Sequence, residues 1–220
     1  MNILMLRHSA GFEHTYLPDA EAVLKQIGKK DWQVRTTHHS QRVSAETLAD
    51  TDLLIFATTG NLRFEKEQKQ ALLDFVKGGK PFFGIHNATD TFYDWPEYGE
   101  LIGGYFSGHP WTQEVRVIVE VATIRLLECW GNISKSLMRS TLSKRGIEIK
   151  LTSLMRLDNE TIDLSKGNRE DHDYALASCH HYGEGRVMYT ALGHPDSLWH
   201  EDWFQQHING CIKWVTGLED

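Results

Sequence analysis

The 220 residues predict an α/β fold: one doubly wound, mostly parallel sheet with helices on both faces. Three observations carry this expectation. Short apolar runs without helical spacing alternate along the chain with stretches striped every three or four residues, the order that strand–helix–strand crossovers require. The runs are apolar at successive positions rather than every second one, which suits strands covered on both faces. Several of them stop abruptly at Gly, Thr or His, where strands open onto a rim of loops.

Each element can be justified in turn. "NILMLRH" (2–8) is a first buried strand. After the loop "SAGFEHT", Leu17, Ala20, Val23, Leu24 and Ile27 share one helical face. Pro18 falls in the first turn, where its missing N–H costs nothing, and Gly28 suits the stop. "DWQVRTT" reads as a second, more polar strand and "DLLIFATTG" as a central one. Phe64, Ala71, Leu72, Phe75 and Val76 mark a helix that ends at Gly78 and Gly79. "PFFGIH" is the next buried strand, after which Asp90 is placed to cap a helix begun by "TFYDW". "EVRVIVE" and "GRVMYTALGH" are further strands, and Phe204, Ile208, Cys211, Ile212 and Val215 stripe a last helix. No repeat, low-complexity segment or linker divides the chain, so residues 1–220 read as a single domain.

Composition narrows the function. A net charge of −7 without a basic stripe argues against a nucleic-acid binder, which needs positive potential to meet phosphates. No apolar run approaches the roughly 20 residues of a membrane span. The start "MNILMLRHSAGF" lacks the pattern of a secretory signal, and Cys129, Cys179 and Cys211 are an odd set without metal-type spacing. Both features suit reduced thiols and a cytoplasmic location. The anomaly is twelve histidines, several of them at loop positions.

In sheets of this kind ligands bind beyond the carboxyl ends of the strands. The residues expected there are His8 to His14, Thr58 to Asn61, His86 to Asp90 and His194 to Asp196, four loops converging on one rim. His38, His39, His200 and His207 have no evident partners and read as surface.

The motifs in these loops extend well beyond single residues. "AGFEHT" (Gly11, Phe12, His14), "TTG" (Thr58, Thr59, Gly60), "GIHNATDTFYDWPEYGELIGGYFSGHP" and "DHDYALASCHHYGEGRVMYTALGHPDS" resemble the ThuA-like (trehalose utilisation) family. That family's fold is flavodoxin-like and similar to the class I glutamine amidotransferases. The resemblance implies a strand-to-helix elbow at His86, where the amidotransferases keep a cysteine, and a remnant of their His-Pro-Glu motif at His194, Pro195 and Asp196. With no thiolate at the elbow, glutamine hydrolysis is not the reaction. His86 and His194 become candidate catalytic groups, with Asp196 orienting His194, because imidazole exchanges protons near neutral pH. His14, Thr58, Thr59, Gly60, Asp90, Tyr93, His109 and His180 become candidate substrate contacts. His180 and His181 alternate across a strand, so only one of the two should reach the site. Tyr93, Trp95 and Tyr98 offer the aromatic planes on which sugar rings stack.

The partner so implied is a small sugar, trehalose or a related disaccharide or keto sugar, handled by histidine acid–base chemistry. Homo-oligomers are compatible with this reading. Two alternatives are a sugar enzyme with a divalent metal such as zinc held by three of the rim histidines, and a non-catalytic sugar-binding or regulatory module. Residues 123–153 resemble nothing in the family and are rich in Ser, Lys and Arg. Re-read one base over, their degenerate codons permit a family-like stretch with "HPAT" and "DEIY" signatures. Two compensating frameshifts are therefore expected, with a poorly packed segment as the consequence.

Overall fold

Strand apolarity decides the layering of this molecule. The computed structural model describes residues 1–120 and 151–218, together with the backbone of two short strands at 136–137 and 142–143. The strands are β1 (Asn2–Leu6), β2 (Gln33–Thr37), β3 (Leu53–Phe56), β4 (Phe82–Ile85), β5 (Tyr105–Phe106), β6 (Glu114–Val115), β7 (Val117–Val119), β8 (Ser136–Leu137), β9 (Leu142–Ser143), β10 (Thr152–Leu157), β11 (Ala175–Tyr182) and β12 (Gly185–Thr190). The helices are α1 (Leu17–Gly28), α2 (Ala45–Ala49), α3 (Lys66–Lys77), α4 (Pro96–Ile102) and α5 (Asp202–Thr216).

The main sheet has eight strands in the order β2-β1-β3-β4-β12-β11-β10-β7. Its first five are parallel, in the flavodoxin-like order, and the last three alternate in direction. Every residue of β3 and β4 is buried, as the continuous apolar runs require, whereas β2 at the edge alternates and stays partly exposed. Successive residues of β12 show the two faces. Tyr189 turns towards the side of α4, and Thr190 reaches His207 of α5 on the other. A reciprocal capping box of Glu65 and Gln68 starts α3, and Gly103 in the left-handed region ends α4.

Three local expectations are corrected. Asp90 does not begin a helix. It closes a 3₁₀ turn at His86–Thr89, and α4 waits for Pro96, because Phe92 takes a positive φ of 55° to bury its ring in the core. "EVRVIVE" breaks at Arg116, whose backbone N–H donates to Thr161 Oγ1 and whose guanidinium donates to Asp158, so that β6 leaves the main sheet to pair with β8. His207 is not on the surface. It lies on the inner stripe of α5 beside Phe204, Ile208 and Cys211 and is fully buried.

Apart from the two short strands, residues 123–150 lie outside the described residues, and with them most of the segment expected to be displaced in frame. Among the described residues no helix is long and apolar enough to cross a membrane.

Candidate active site at the carboxyl rim

Three loops are first knitted together by backbone. The chain after β1 bridges the chain after β3 at Ser9 and Thr59, and the amides of Ala10 and Gly11 both donate to Thr59 O, at 2.8 and 3.2 Å. Gly60 then turns with a φ of 83° so that its amide donates to Asp90 O at 2.6 Å. A side chain at Gly60 would bring a Cβ within 2.8 Å of Gly11 N, so the approach of these loops requires glycine.

The elbow follows β4. His86 has a φ of 44°, a left-handed conformation that costs a non-glycine residue about 1–3 kcal/mol and persists where its surroundings over-determine it. Those surroundings are visible. Tyr189 Oη donates to His86 O at 2.7 Å and lies 3.0 Å from the Thr89 hydroxyl. His86 Nδ1 donates to Ala191 O at 2.8 Å, which fixes the ring and leaves Nε2 facing His194 Nδ1 at 3.1 Å. His14 packs edge-on against both rings, with centroids 5.0 Å from His86 and 5.2 Å from His194. Ring nitrogens of His14, His86 and His194 all lie within 4.8 Å of one another.

Asn87 is the hub behind this cluster. Its Oδ1 accepts from Tyr16 Oη at 2.5 Å, and its Nδ2 donates to Thr59 Oγ1 at 2.6 Å and lies 3.3 Å from His14 Nδ1. Tyr16 is fully buried and stacked on Trp199, with centroids 5.5 Å apart and planes 2° from parallel. Burial pushes the Tyr16 phenol up, so it remains a neutral donor to Asn87.

Above the histidines opens a cavity of about 310 Å³. Its walls are Phe12, Phe106, His109, Asp90 and Thr89, and its floor is His14, His86, Asn87 and His194. Phe12 is 67 % exposed, one of two large apolar side chains left open among the described residues. Phe106 and His109 stack at 5.7 Å, and the Asp90 carboxylate accepts from Tyr93 Oη at 2.6 Å.

Of the residues singled out in the sequence, His14, His86, Asp90, His109 and His194 line this cavity. Thr58 and Thr59 lie behind it, Thr58 bonded to Thr91 and Thr59 to Asn87, and Gly60 acts through its backbone. Tyr93 supports Asp90 and stacks on Tyr105. Asp196 accepts from Thr15 Oγ1 at 2.7 Å, so its carboxylate ties the rim to the start of α1. His86 lies deeper than a rim residue, only 8 % exposed.

His180 does not reach the cavity. In the antiparallel β11 it pairs with Val187, which pairs with Phe82 at the start of β4, so His180 sits towards the opposite edge of the sheet. Burial there lowers its pKa to about 4, although the backbone of Glu100 and Leu101 favours the charged form. Phe106 is a lining residue that sequence reasoning did not place at the rim, whereas Asn87 and Thr89 fell within the loop expected there, His86 to Asp90, but were given no role of their own.

A flavodoxin-like sheet with an elbow histidine defines an α/β protein of the amidotransferase-like architecture that has no thiol at its elbow. Cys179 and Cys211, the free thiols among the described residues, are both buried, and burial pushes the Cys211 thiol up, away from the reactive range. The family profile described as ThuA, trehalose utilisation, matches residues 2–215, and the chain belongs to that family. Among solved structures it is similar to a putative ThuA-like protein from Bacteroides uniformis, with a TM-score of 0.78 and 16 % identity over 100 % of this chain and 93 % of that one. It is also similar to a cytoplasmic protein from Salmonella typhimurium, with a TM-score of 0.59 and 15 % identity over 99 % and 98 % of the two chains. A cold-adapted β-galactosidase from Rahnella shares the fold over 97 % of this chain and 31 % of its own length, with a TM-score of 0.57 and 11 % identity. A search of the curated proteins finds no match.

Proposed function

We propose that this chain is a metal-assisted enzyme of carbohydrate utilisation, acting on trehalose or a related disaccharide or keto sugar, with a divalent cation such as zinc held by His14, His86 and His194. The observation that carries this reading is the convergence of three ring nitrogens within 4.8 Å beneath an open cavity. Three imidazoles with a further position left to water or substrate are the ligand pattern of catalytic zinc. Two nitrogens on one tetrahedral zinc lie about 3.3 Å apart, close to the spacing found between His86 and His194. His86 also gives its other N–H to a backbone carbonyl, the outer support that ligating histidines commonly have.

A cation there supplies Lewis acidity towards a hydroxyl or carbonyl oxygen of the sugar. The chain's own residues do the rest. Phe12 and Phe106 offer faces for the C–H side of a sugar ring, Asp90 accepts a hydroxyl, and His109 stands on the wall as a proton carrier. A cytoplasmic location fits the similar Salmonella protein.

A metal-free reading rests on the 3.1 Å contact itself. With Nδ1–H committed to Ala191, a neutral His86 accepts at Nε2 from His194 Nδ1–H, and the pair forms an acid–base unit worth about 10²–10⁴-fold. Metal analysis of the purified protein, followed by thermal-shift screening of disaccharides and keto sugars, separates the readings. The expected result is bound zinc at close to one equivalent, lost in His86→Gln. Turnover by protein free of metal and indifferent to added zinc would select the acid–base pair. Sugar binding without turnover in either form would leave a binding module.

A further inference from the structure

The same rim carries a second hollow, of about 350 Å³, lined by His8, Ala10, Ser40, Gln41, Asn61 and Arg63. These residues follow β1, β2 and β3 in turn. In the order β2-β1-β3 the chain leaves β1 to one side and returns on the other, so the hollow sits at the topological switch point, where open α/β sheets form a crevice. The histidine cavity lies further along the rim, beyond β4 and β12. The two hollows also differ in chemistry. The first is walled by aromatic rings and contains a carboxylate, whereas no carboxylate lines the second.

Positive charge gathers around the second hollow although the chain as a whole carries −7. Arg35, His39 and Arg42 line an adjoining depression that opens beside β2. None of Arg35, Arg42 and Arg63 is held in an ion pair among the described residues. The nearby carboxylate of Asp94 accepts from Asn61 Nδ2 at 2.8 Å and orients that amide from outside the hollow. His8 Nδ1 lies 2.6 Å from Ser40 Oγ, which sets the imidazole between the loops. Burial, and then the neighbouring His38 and His39, lower the pKa of His8 from its ordinary value.

We infer that this switch-point hollow binds a phosphate group, with Arg63 as the principal charged contact and His8, Ser40, Gln41 and Asn61 as donors around it. A phosphate has several acceptor oxygens spread tetrahedrally, which matches a ring of neutral donors around a guanidinium better than a planar carboxylate does. The group is either free phosphate or the phosphate end of a phosphorylated sugar.

Calorimetric titration of the full chain with inorganic phosphate, with glucose 6-phosphate and with acetate, at low ionic strength, tests the assignment. Phosphate and glucose 6-phosphate should bind and acetate should not. Arg63→Gln, an exposed position whose melting temperature should not move, should weaken phosphate by about tenfold or more, while His86→Gln should leave it unchanged. Equal affinities for the two phosphates would assign the site to free phosphate. Tighter binding of the sugar phosphate, with the excess lost in His86→Gln, would make the two hollows the two ends of one substrate site. Absence of phosphate binding, or its loss in His86→Gln with Arg63→Gln unaffected, would overturn the inference.

Discussion

His86 and His180 are similar by exposure, 8 % and 6 %, and both belong to main-sheet segments rich in apolar residues, yet they stand at opposite edges of the sheet. His86 follows a parallel strand, and the loops after β1, β3 and β12 end beside it, so its ring lies 3.1 Å from a nitrogen of His194 and packs edge-on against His14. His180 lies inside a strand of reversed direction, level with the beginning of β4, where burial lowers its pKa to about 4. Parallel neighbours collect their carboxyl ends at one place, and an antiparallel strand delivers its own elsewhere. Strand direction, rather than residue type, separates a histidine that lines the cavity from a packed one.

The largest expected effect tests that separation directly. His86→Ala should reduce sugar turnover by about 10²–10⁴-fold, whereas His180→Gln should leave turnover within a few-fold of the parent. Steady-state kinetics on both variants decide it, and equal losses would remove the distinction. Acid stability should sharpen the contrast from the other side. The folded pKa values of His180 and His207, about 4 and about 3, lie below the ordinary 6.5, so the unfolded chain binds protons that the fold refuses. Their stabilising contribution is complete above pH 6.5 and is lost as the pH falls towards 4 and then 3, by at most about 1.4 kcal/mol per pH unit for each group. Urea unfolding of His180→Gln between neutral pH and pH 4 should show a shallower slope than the parent, and an identical slope would contradict the buried, neutral assignment. The smallest effect concerns the elbow itself. Because His86 has a φ of 44°, His86→Gly should be more stable than His86→Ala by about 1 kcal/mol in chemical denaturation.

Most of the sheet was legible because its signals are local. The runs "NILML", "LLIF" and "FFGI" announce strands covered on both faces without knowledge of their partners, and the stripe of α5 announces a helix. What stayed hidden depends on distant residues. The break at Arg116 is made by Asp158, 42 positions on, and the run "ALASCHHY" gives no sign of which way its strand points. The same limit explains the site. His14, His86 and His194 could be placed because they sit at loop positions of the rim, and His109 because of the family resemblance. The support from Tyr16 to Asn87 joins α1's entry to the elbow across 71 residues and leaves no periodic trace. His207 was read as surface because no partner for it was evident, although its spacing from Phe204 and Cys211 puts it on the buried stripe.

The order of strands has a consequence for synthesis. β4 is flanked on one side by β12, which the ribosome delivers about a hundred residues later, and the elbow's hydrogen bonds to Ala191, Tyr189 and His194 span 105, 103 and 108 positions. While the chain emerges, the finished edge of β4 has no neighbour, and the slot beside it must remain open to a strand not yet made. Closing so large a loop is slow, and an unpaired apolar edge invites the wrong partner in the meantime. The nascent chain therefore passes through a long interval in which half of the sheet is waiting, and the left-handed turn at His86 can be locked only once synthesis has passed His194.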